Sequence, residues 1–89
     1  MARIDFTPNL ARYVDTDRLT ADGRTVGELF DNVFAERVQL KGYILDDQGA
    51  LRKHVNVFVD NRMIVDRIGL TDAVTNDSKV FVMQALSGG

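Results

Sequence analysis

Cysteine is absent from the 89-residue chain, so neither a disulfide bond nor a thiolate nucleophile contributes to its stability or chemistry. The usual zinc sites are excluded as well, because they need several cysteine or histidine ligands and His54 is the single histidine. The formal net charge of −2 lacks the basic surplus that nucleic-acid-binding domains carry. The sequence therefore predicts no thiolate chemistry, no metal site and no nucleic-acid partner.

Long apolar runs are also missing. No segment approaches the ~20 apolar residues of a membrane-spanning helix, and the first residues contain no stretch apolar enough for a signal peptide. A glycine-rich phosphate-binding loop is absent too, and the short length predicts one domain with a single core and no large substrate cavity. We therefore expect a cytoplasmic protein without a membrane partner.

The clearest helix signal begins at Thr25. Thr25 and Glu28 match a capping box, in which the Thr25 hydroxyl accepts from the Glu28 backbone N–H and the Glu28 carboxylate accepts from the Thr25 backbone N–H. Apolar side chains then recur at helical spacing, and we expect Phe30 and Phe34 in the core, or one in the core and one at its edge. One or two further helical turns are predicted within residues 38–45.

Five segments show the alternation or the β-branched content that favours strands. They are residues 3–7, a stretch around Leu19, residues 55–59, a short edge strand at residues 63–65, and residues 79–85. Pro8 ends the first strand, and the turn dipeptide Asp22-Gly23 closes the second. Residues 46–49 are predicted as a loop, and residues 60–61 as a turn.

A hairpin, a helix packed on one sheet face and further strands make an α+β two-layer domain. The order of the elements is that of the β-grasp (ubiquitin-like) fold, a mixed sheet of four to five strands packed on one main helix. We expect the β-grasp domain to span residues 1–84 and a flexible C-terminal tail, ending in Gly88-Gly89, to span residues 85–89.

Strand alternation divides the large apolar residues between the two faces of this sheet. If the valines of residues 55–59 and 79–85 face the helix, then Phe58, Phe81 and Met83 face the other way. Phe58 and Phe81 are then candidates for a cross-strand pair. Because a cluster of large apolar groups facing water usually marks a partner site, we expect this face to dock a partner protein.

The edges of this predicted docking face are less specific. Leu86 is included in it as the next large apolar residue along the chain. Arg3, Arg62 and Lys79 could form a charged rim, although an ordinary solvated surface is the simpler interpretation for each of them. A loop such as residues 10–17, whose structure the pattern leaves ambiguous, could instead cover the apolar face.

Several polar side chains have simpler interpretations than catalysis. His54 could act as a general base, but no serine or cysteine nucleophile is placed to use it, so we interpret it as a surface histidine. The acidic residues that could pair for acid–base work or bind a cation fit a loop, a helix face or a turn, and match no calcium-loop spacing: Asp46, Asp47, Glu28, Asp31, Asp72 and Asp77.

Two internal motifs and the chain end resemble the MoaD/ThiS family of ubiquitin-like sulfur carrier proteins. Residues 51–61 (LRKHVNVFVDN) look like the family's central strand, and residues 25–29 (TVGEL) resemble the start of its helix. The ending ALSGG at residues 85–89 is similar to the Ala-Val-Ala-Gly-Gly ending of many members. The extra residues 38–53 resemble the longer, MoaD-like branch, which includes molybdopterin-synthase small subunits and carriers serving cysteine or secondary-metabolite synthesis.

The chain departs from the family pattern at two places. Residues 76–78 (NDS) stand where members usually carry an Asp-Gly-Asp turn, and Gln84 stands where a proline is common. Neither departure touches the tail chemistry, but both bear on which partner fits. The sequence therefore leaves the pathway open.

The resemblance implies a protein cosubstrate rather than an enzyme. Gly89 would be adenylated by an E1-like adenylyltransferase that uses ATP, and a sulfurtransferase or sulfide donor would convert it to a thiocarboxylate for a downstream sulfur-accepting enzyme. Gly88 would give the chain end steric access, because glycine has no Cβ and adopts φ values that other residues avoid. By the same resemblance the chain binds no cofactor and contributes no catalytic residue beyond its reactive terminus.

Two alternatives remain open at this level. The chain could be a ubiquitin-like modifier whose Gly89 is joined to lysines of target proteins, since the same activation serves both outcomes. It could also be a plain β-grasp binding module in which the two glycines have no role. Two terminal glycines arise by chance in about 1 in 200 chains, so the tail alone does not decide.

Overall fold

Five strands form one mixed sheet in the computed structural model, which describes residues 1–11 and 18–84 and omits the side chains of residues 9 and 11. The elements in chain order are β1 (Ala2–Phe6), α1 (Pro8–Ala11), β2 (Arg18–Ala21), α2 (Val26–Glu36), α3 (Val38–Ile44), β3 (Val55–Val59), β4 (Arg62–Met63) and β5 (Lys79–Gln84). The sheet order is β2-β1-β5-β3-β4. Parallel pairing joins β1 to β5 at the centre, and the other neighbours are antiparallel.

This arrangement confirms the predicted α+β class, with a mixed sheet and one long helix. The main helix α2 lies on one face of the sheet, and the shorter α3 follows it where further helical turns were expected. Ala85, the predicted last residue of the final strand, lies outside the described residues, as does the whole predicted tail at 85–89.

The core lies between α2 and the sheet. Phe30 and Phe34 are both buried, with ring centroids 5.4 Å apart, so both belong to the core. The inward valines of β3 and β5 are almost fully buried: Val55, Val57, Val80 and Val82. Because alternate residues of a strand face opposite sides, this burial determines which residues face outward.

Helix α2 begins as one half of the predicted capping box requires. The Thr25 hydroxyl accepts from the Glu28 backbone N–H at 3.1 Å. The other half of the prediction is wrong, because the Glu28 carboxylate accepts from the Arg24 backbone N–H at 3.4 Å. Thr25 forms an isolated antiparallel bridge with Ala73, which holds the approach to the helix extended and presents the preceding N–H group to Glu28.

The edge strand β4 is shorter than predicted and begins one residue earlier. Asp60 and Asn61 have positive φ angles of 51° and 70°, as a two-residue hairpin turn requires. Beyond Met63 the backbone N–H groups of Val65 and Asp66 donate to the Asp72 carboxylate at 3.0 and 2.8 Å. The Ile64 backbone N–H still donates to the Val57 carbonyl of β3 at 2.9 Å, and the chain turns away from the sheet at Val65.

The loop that follows β4 is organised around the carboxylate of Asp66. Asp66 accepts from the backbone N–H groups of Ile68, Gly69 and Thr71 and, at 2.6 Å, from the Thr71 hydroxyl. These hydrogen bonds favour the ionised carboxylate, the Thr71 hydroxyl most strongly, and lower the pKa of Asp66 to about 2. The same loop supports α2, because the carbonyl of Leu70 accepts from the Gly27 N–H at 2.9 Å.

Asp66 should make the free energy of unfolding depend on pH in the acidic range. Its folded pKa lies below the unfolded value of about 3.9, so its stabilisation is present above that value and is lost as pH falls toward about 2. We expect Asp66→Asn to lower the urea midpoint at pH 7. The difference between the midpoints of the variant and the wild type should shrink as the pH falls to about 2.

A matched control is Asp47→Asn, which removes one carboxylate from an exposed loop. Its urea midpoint should follow the wild type at every pH. Equal pH dependence of wild type and Asp66→Asn would contradict the role given to Asp66.

Candidate functional site

Phe58, Phe81 and Met83 lie together on the sheet face opposite α2, which we call the outer face. Phe58 is directly opposite Phe81 in the β3–β5 ladder, as the predicted cross-strand pair requires, and Met83 is opposite Asn56. Phe81 is 37% exposed, and the other two side chains are half-buried. We call these three residues the apolar patch.

The apolar patch forms one wall of a hollow of about 500 Å³. The remaining lining residues are Arg3, Asp5, Asn61, Lys79 and Val80. The hollow therefore combines apolar and charged lining residues, which suits an apolar side chain of a partner protein that has a polar residue beside it.

Two of the three predicted rim cations border this hollow, and the third does not. Arg3 and Lys79 line it, whereas Arg62 lies on a separate surface hollow with Val59 and Ile64. Arg62 is directly opposite Val59 in the β3–β4 ladder, so it shares the face of Val59 rather than that of the apolar patch. Arg62 is exposed and therefore fits the simpler interpretation, an ordinary solvated surface residue.

Met63 extends the apolar surface and was not predicted. It is directly opposite Phe58 in the ladder and is 52% exposed at the sheet edge. The two-residue turn at Asp60 and Asn61 was the available signal, because a turn of that length sets the register of the strands it joins.

The predicted covering loop is accounted for only in part. Leu10 is fully buried in the core through the short helix α1, so it does not lie over the apolar patch. Residues 12–17 lie outside the described residues. Within the described part of the chain, Phe81 keeps more than a third of its surface exposed.

The described part of β5 ends beside the end of β1. The backbone N–H of Thr7 donates to the Val82 carbonyl at 3.2 Å, and the Thr7 hydroxyl accepts from the Gln84 backbone N–H at 3.3 Å. Met83 therefore places the apolar patch next to the point where the tail follows. The predicted site residues Leu86, Gly88 and Gly89 lie outside the described residues.

The side chain of Arg67 makes two hydrogen bonds at this end of the sheet that were not predicted. Arg67 donates from Nη1 to Asn56 Oδ1 at 2.9 Å and from Nη2 to the Arg52 carbonyl at 2.7 Å. Since Asn56 is opposite Met83, these bonds tie the loop after β4 to the strand that pairs with Met83. No local sequence pattern indicates such a bond.

The remaining candidate residues occupy structural positions. His54 is exposed in the turn before β3, and the Asp46 carboxylate accepts from the backbone N–H groups of Gln48 and Ala50 within its loop. Among residues 1–11 and 18–84, no group of three or more His, Asp or Glu side chains could hold a metal ion. Over the same ranges, no helix is both long and apolar enough to span a membrane.

Comparison with known proteins supplies one related sequence and several solved structures. No family model matches the chain. Small archaeal modifier protein 3 of Haloferax volcanii is 32% identical over 68 residues, which cover 76% of this chain and 73% of that protein.

The solved structures agree with the fold. A chain of the Amycolatopsis orientalis BexX/CysO complex matches with a TM-score of 0.87, 22% identity and full coverage of both chains. CysO of Mycobacterium tuberculosis matches with a TM-score of 0.85 and 19% identity over 97% of this chain and 100% of that one. SAMP1 of Haloferax volcanii has a TM-score of 0.80 and 23% identity over 99% and 98% of the two chains.

The face assignment predicts opposite sensitivities for two adjacent residues of β5. Phe81→Gln places an amide on the solvent-exposed outer face and should lower the free energy of unfolding by about 1 kcal/mol. Val82→Gln buries an amide without a partner and should cost at least about 3 kcal/mol. Urea unfolding of both variants measures the difference. Similar costs for the two would show that the outer face is not open to solvent.

Proposed function

The chain belongs to the MoaD/ThiS family of ubiquitin-like sulfur carrier and modifier proteins, and on that premise we propose that it carries sulfur as a thiocarboxylate on Gly89. It acts as a protein cosubstrate of an E1-like adenylyltransferase. The chain supplies the reactive terminus and a docking surface, and the activating enzyme supplies the ATP site and the catalytic groups.

The proposed chemistry takes place at the Gly89 carboxylate in two steps. A carboxylate oxygen attacks the α-phosphorus of ATP, and the bond to pyrophosphate breaks, which leaves an acyl adenylate. Hydrogen sulfide then attacks the carbonyl carbon, and AMP departs with the bridging oxygen. If the donor is a persulfide, the same attack gives an acyl disulfide, and a thiol reductant cleaves its S–S bond to release the thiocarboxylic acid. The resulting thiocarboxylic acid loses its proton. The α-carboxyl has an ordinary pKa of about 3.3–3.7, so it is ionised and ready to attack at neutral pH.

The observation that carries this proposal is the position of the apolar patch beside the end of β5. Met83 belongs to the patch, and Gln84 is the last described residue of the strand. Five residues extend at most about 18 Å. An enzyme that docks on Phe58 and Phe81 can therefore receive Gly89 in an active site close to the same surface.

The proposed partners follow from the same chemistry. They are an E1-like adenylyltransferase, a sulfurtransferase or sulfide donor, and a downstream enzyme that accepts sulfur in molybdopterin, cysteine or secondary-metabolite synthesis. We place these encounters in the cytoplasm. One solved neighbour is a complex of CysO with a second protein, BexX, which supports a carrier that works by docking.

Protein modification is the second candidate function. It is favoured by one observation, since the relative that is 32% identical is named a modifier protein. In that case the activated Gly89 carbonyl would be attacked by a lysine amine of a target protein, with AMP or an enzyme thiol as the leaving group. Conjugates that survive a denaturing gel would support this function, whereas a free thiocarboxylate supports the carrier.

Gly89→Ala tests whether the thin chain end is required. The added methyl should obstruct entry of the terminus, so we expect a normal unfolding midpoint but loss of ATP–pyrophosphate exchange by the E1-like enzyme of the same genome.

Gly42→Ala is the matched control. It makes the same change in α3, where a Cβ meets no atom within 4 Å, and it should leave the exchange unchanged. Exchange by Gly89→Ala at the wild-type rate would show that the access argument is wrong.

Phe81→Gln tests the docking surface separately from the tail. We expect the carrier's KM in pyrophosphate exchange to rise by about tenfold, because a central apolar contact is lost. Val65→Gln is the control. Val65 is 89% exposed and lines the separate hollow beside Arg62, not the one beside the apolar patch. Equal KM values for Phe81→Gln and the wild type would show that Phe81 is not part of the docking surface.

A further inference from the structure

Two cations face each other on neighbouring strands beside the apolar patch. Arg3 of β1 is directly opposite Lys79 of β5, and both line the hollow on the outer face. Like charges directly opposite each other in a sheet are destabilising. The fold itself therefore gains nothing from this pair.

One carboxylate, that of Asp5, is shared between two arginines beside this pair. Its Oδ2 forms an ion pair with Arg3 Nε at 3.6 Å, and that buried nitrogen has no hydrogen-bond partner among the described residues. The other oxygen of Asp5 accepts from Arg18 Nε at 3.1 Å, so a single negative charge faces Arg3, Arg18 and Lys79.

Lys79 has no ion pair with any carboxylate in the described parts of the chain. The Asp60 carboxylate comes close to it, but accepts from the Lys79 backbone N–H at 3.0 Å. Within residues 1–11 and 18–84, the side-chain ammonium is thus left without an anionic partner.

We propose that the hollow receives an acidic side chain, aspartate or glutamate, from the protein that docks on the apolar patch. The incoming carboxylate pairs with the Lys79 ammonium and with the exposed part of the Arg3 guanidinium, and it offsets the excess positive charge beside the apolar patch. An apolar residue beside it in the partner packs on Phe58 and Phe81. This inference rests on the proposed function, since it specifies how the activating enzyme recognises the chain.

The shape of the hollow favours a protein side chain over a free anion. Phe58, Phe81 and Met83 form one wall, and a small inorganic anion makes no use of an apolar wall. A carboxylate on a partner surface uses both sides at once. The required partner surface is therefore acidic and apolar in adjacent positions.

Charge reversal tests the proposal in pyrophosphate exchange with the E1-like enzyme of the same genome. Arg3→Glu and Lys79→Glu should each raise the carrier's KM by at least about tenfold and change kcat by less than about twofold. Arg62→Glu makes the same charge change on the opposite face and should leave KM within about twofold of the wild type.

Thermal unfolding distinguishes loss of a docking contact from a folding defect, because a folding defect would lower the unfolding midpoint. Lys79→Glu replaces a like-charged pair with an opposite-charged one, so its unfolding midpoint should equal or exceed that of the wild type while KM rises. A lower midpoint would show that the Arg3–Lys79 pair is not the unfavourable contact described above.

The outcomes separate this inference from the function it rests on. If the wild type is charged and both reversal variants keep the wild-type KM, the acidic-partner proposal is overturned while the carrier function stands. If Arg62→Glu raises KM as much as the others, general charge attraction replaces the specific contact. If sodium phosphate inhibits more than sodium chloride of equal ionic strength and only with Arg3 and Lys79 intact, a free anion occupies the hollow. If the wild type is not adenylated at all, the proposed function itself fails.

Discussion

Parallel pairing of β1 with β5 places the first and last described strands side by side at the centre of the sheet. This pairing determines three features of the outer face at once. It places Arg3 opposite Lys79, it places Asp5 opposite Phe81, and it brings Thr7 to the end of β5. The charged side of the hollow and the point where the tail follows thus depend on a contact between strands far apart in the sequence.

The core and the outer face are linked through strand alternation. Val57 and Val82 are fully buried, and burial of such a side chain is worth about 1.5–3 kcal/mol. A slip of one residue in β3 or β5 would expose these valines and bury Phe58 or Phe81. The stability of the core therefore holds the apolar patch in place, although the patch itself contributes less to stability than the valines do.

The features that could be predicted from the sequence are the local ones. The Thr25 cap, the valine alternation of β3 and β5, and the turn at residues 60–61 depend on neighbours within a few positions, and the structure contains them. The resemblance to a known family also identified the fold correctly. The same alternation correctly separated Phe81 and Met83 from the buried face.

The features that could not be predicted depend on contacts between distant residues. The bridge to Ala73 redirects Glu28 to the Arg24 N–H group, and the Asp72 carboxylate ends β4 early. The register of β1 against β5 joins distant parts of the sequence, so the pairing of Arg3 with Lys79 has no local signal. Arg62 lies away from the apolar patch because it is directly opposite Val59 in the β3–β4 ladder.

The central claim is that Gly89 carries sulfur, and the mass of the C-terminal peptide tests it most directly. The wild-type chain would be produced together with the E1-like enzyme of the same genome and a sulfide source, and its C-terminal peptide measured before and after alkylation. We expect one oxygen to be replaced by sulfur at Gly89 and the terminus to react with the alkylating agent. An unmodified carboxylate in the presence of an activating enzyme that is demonstrably active would contradict it.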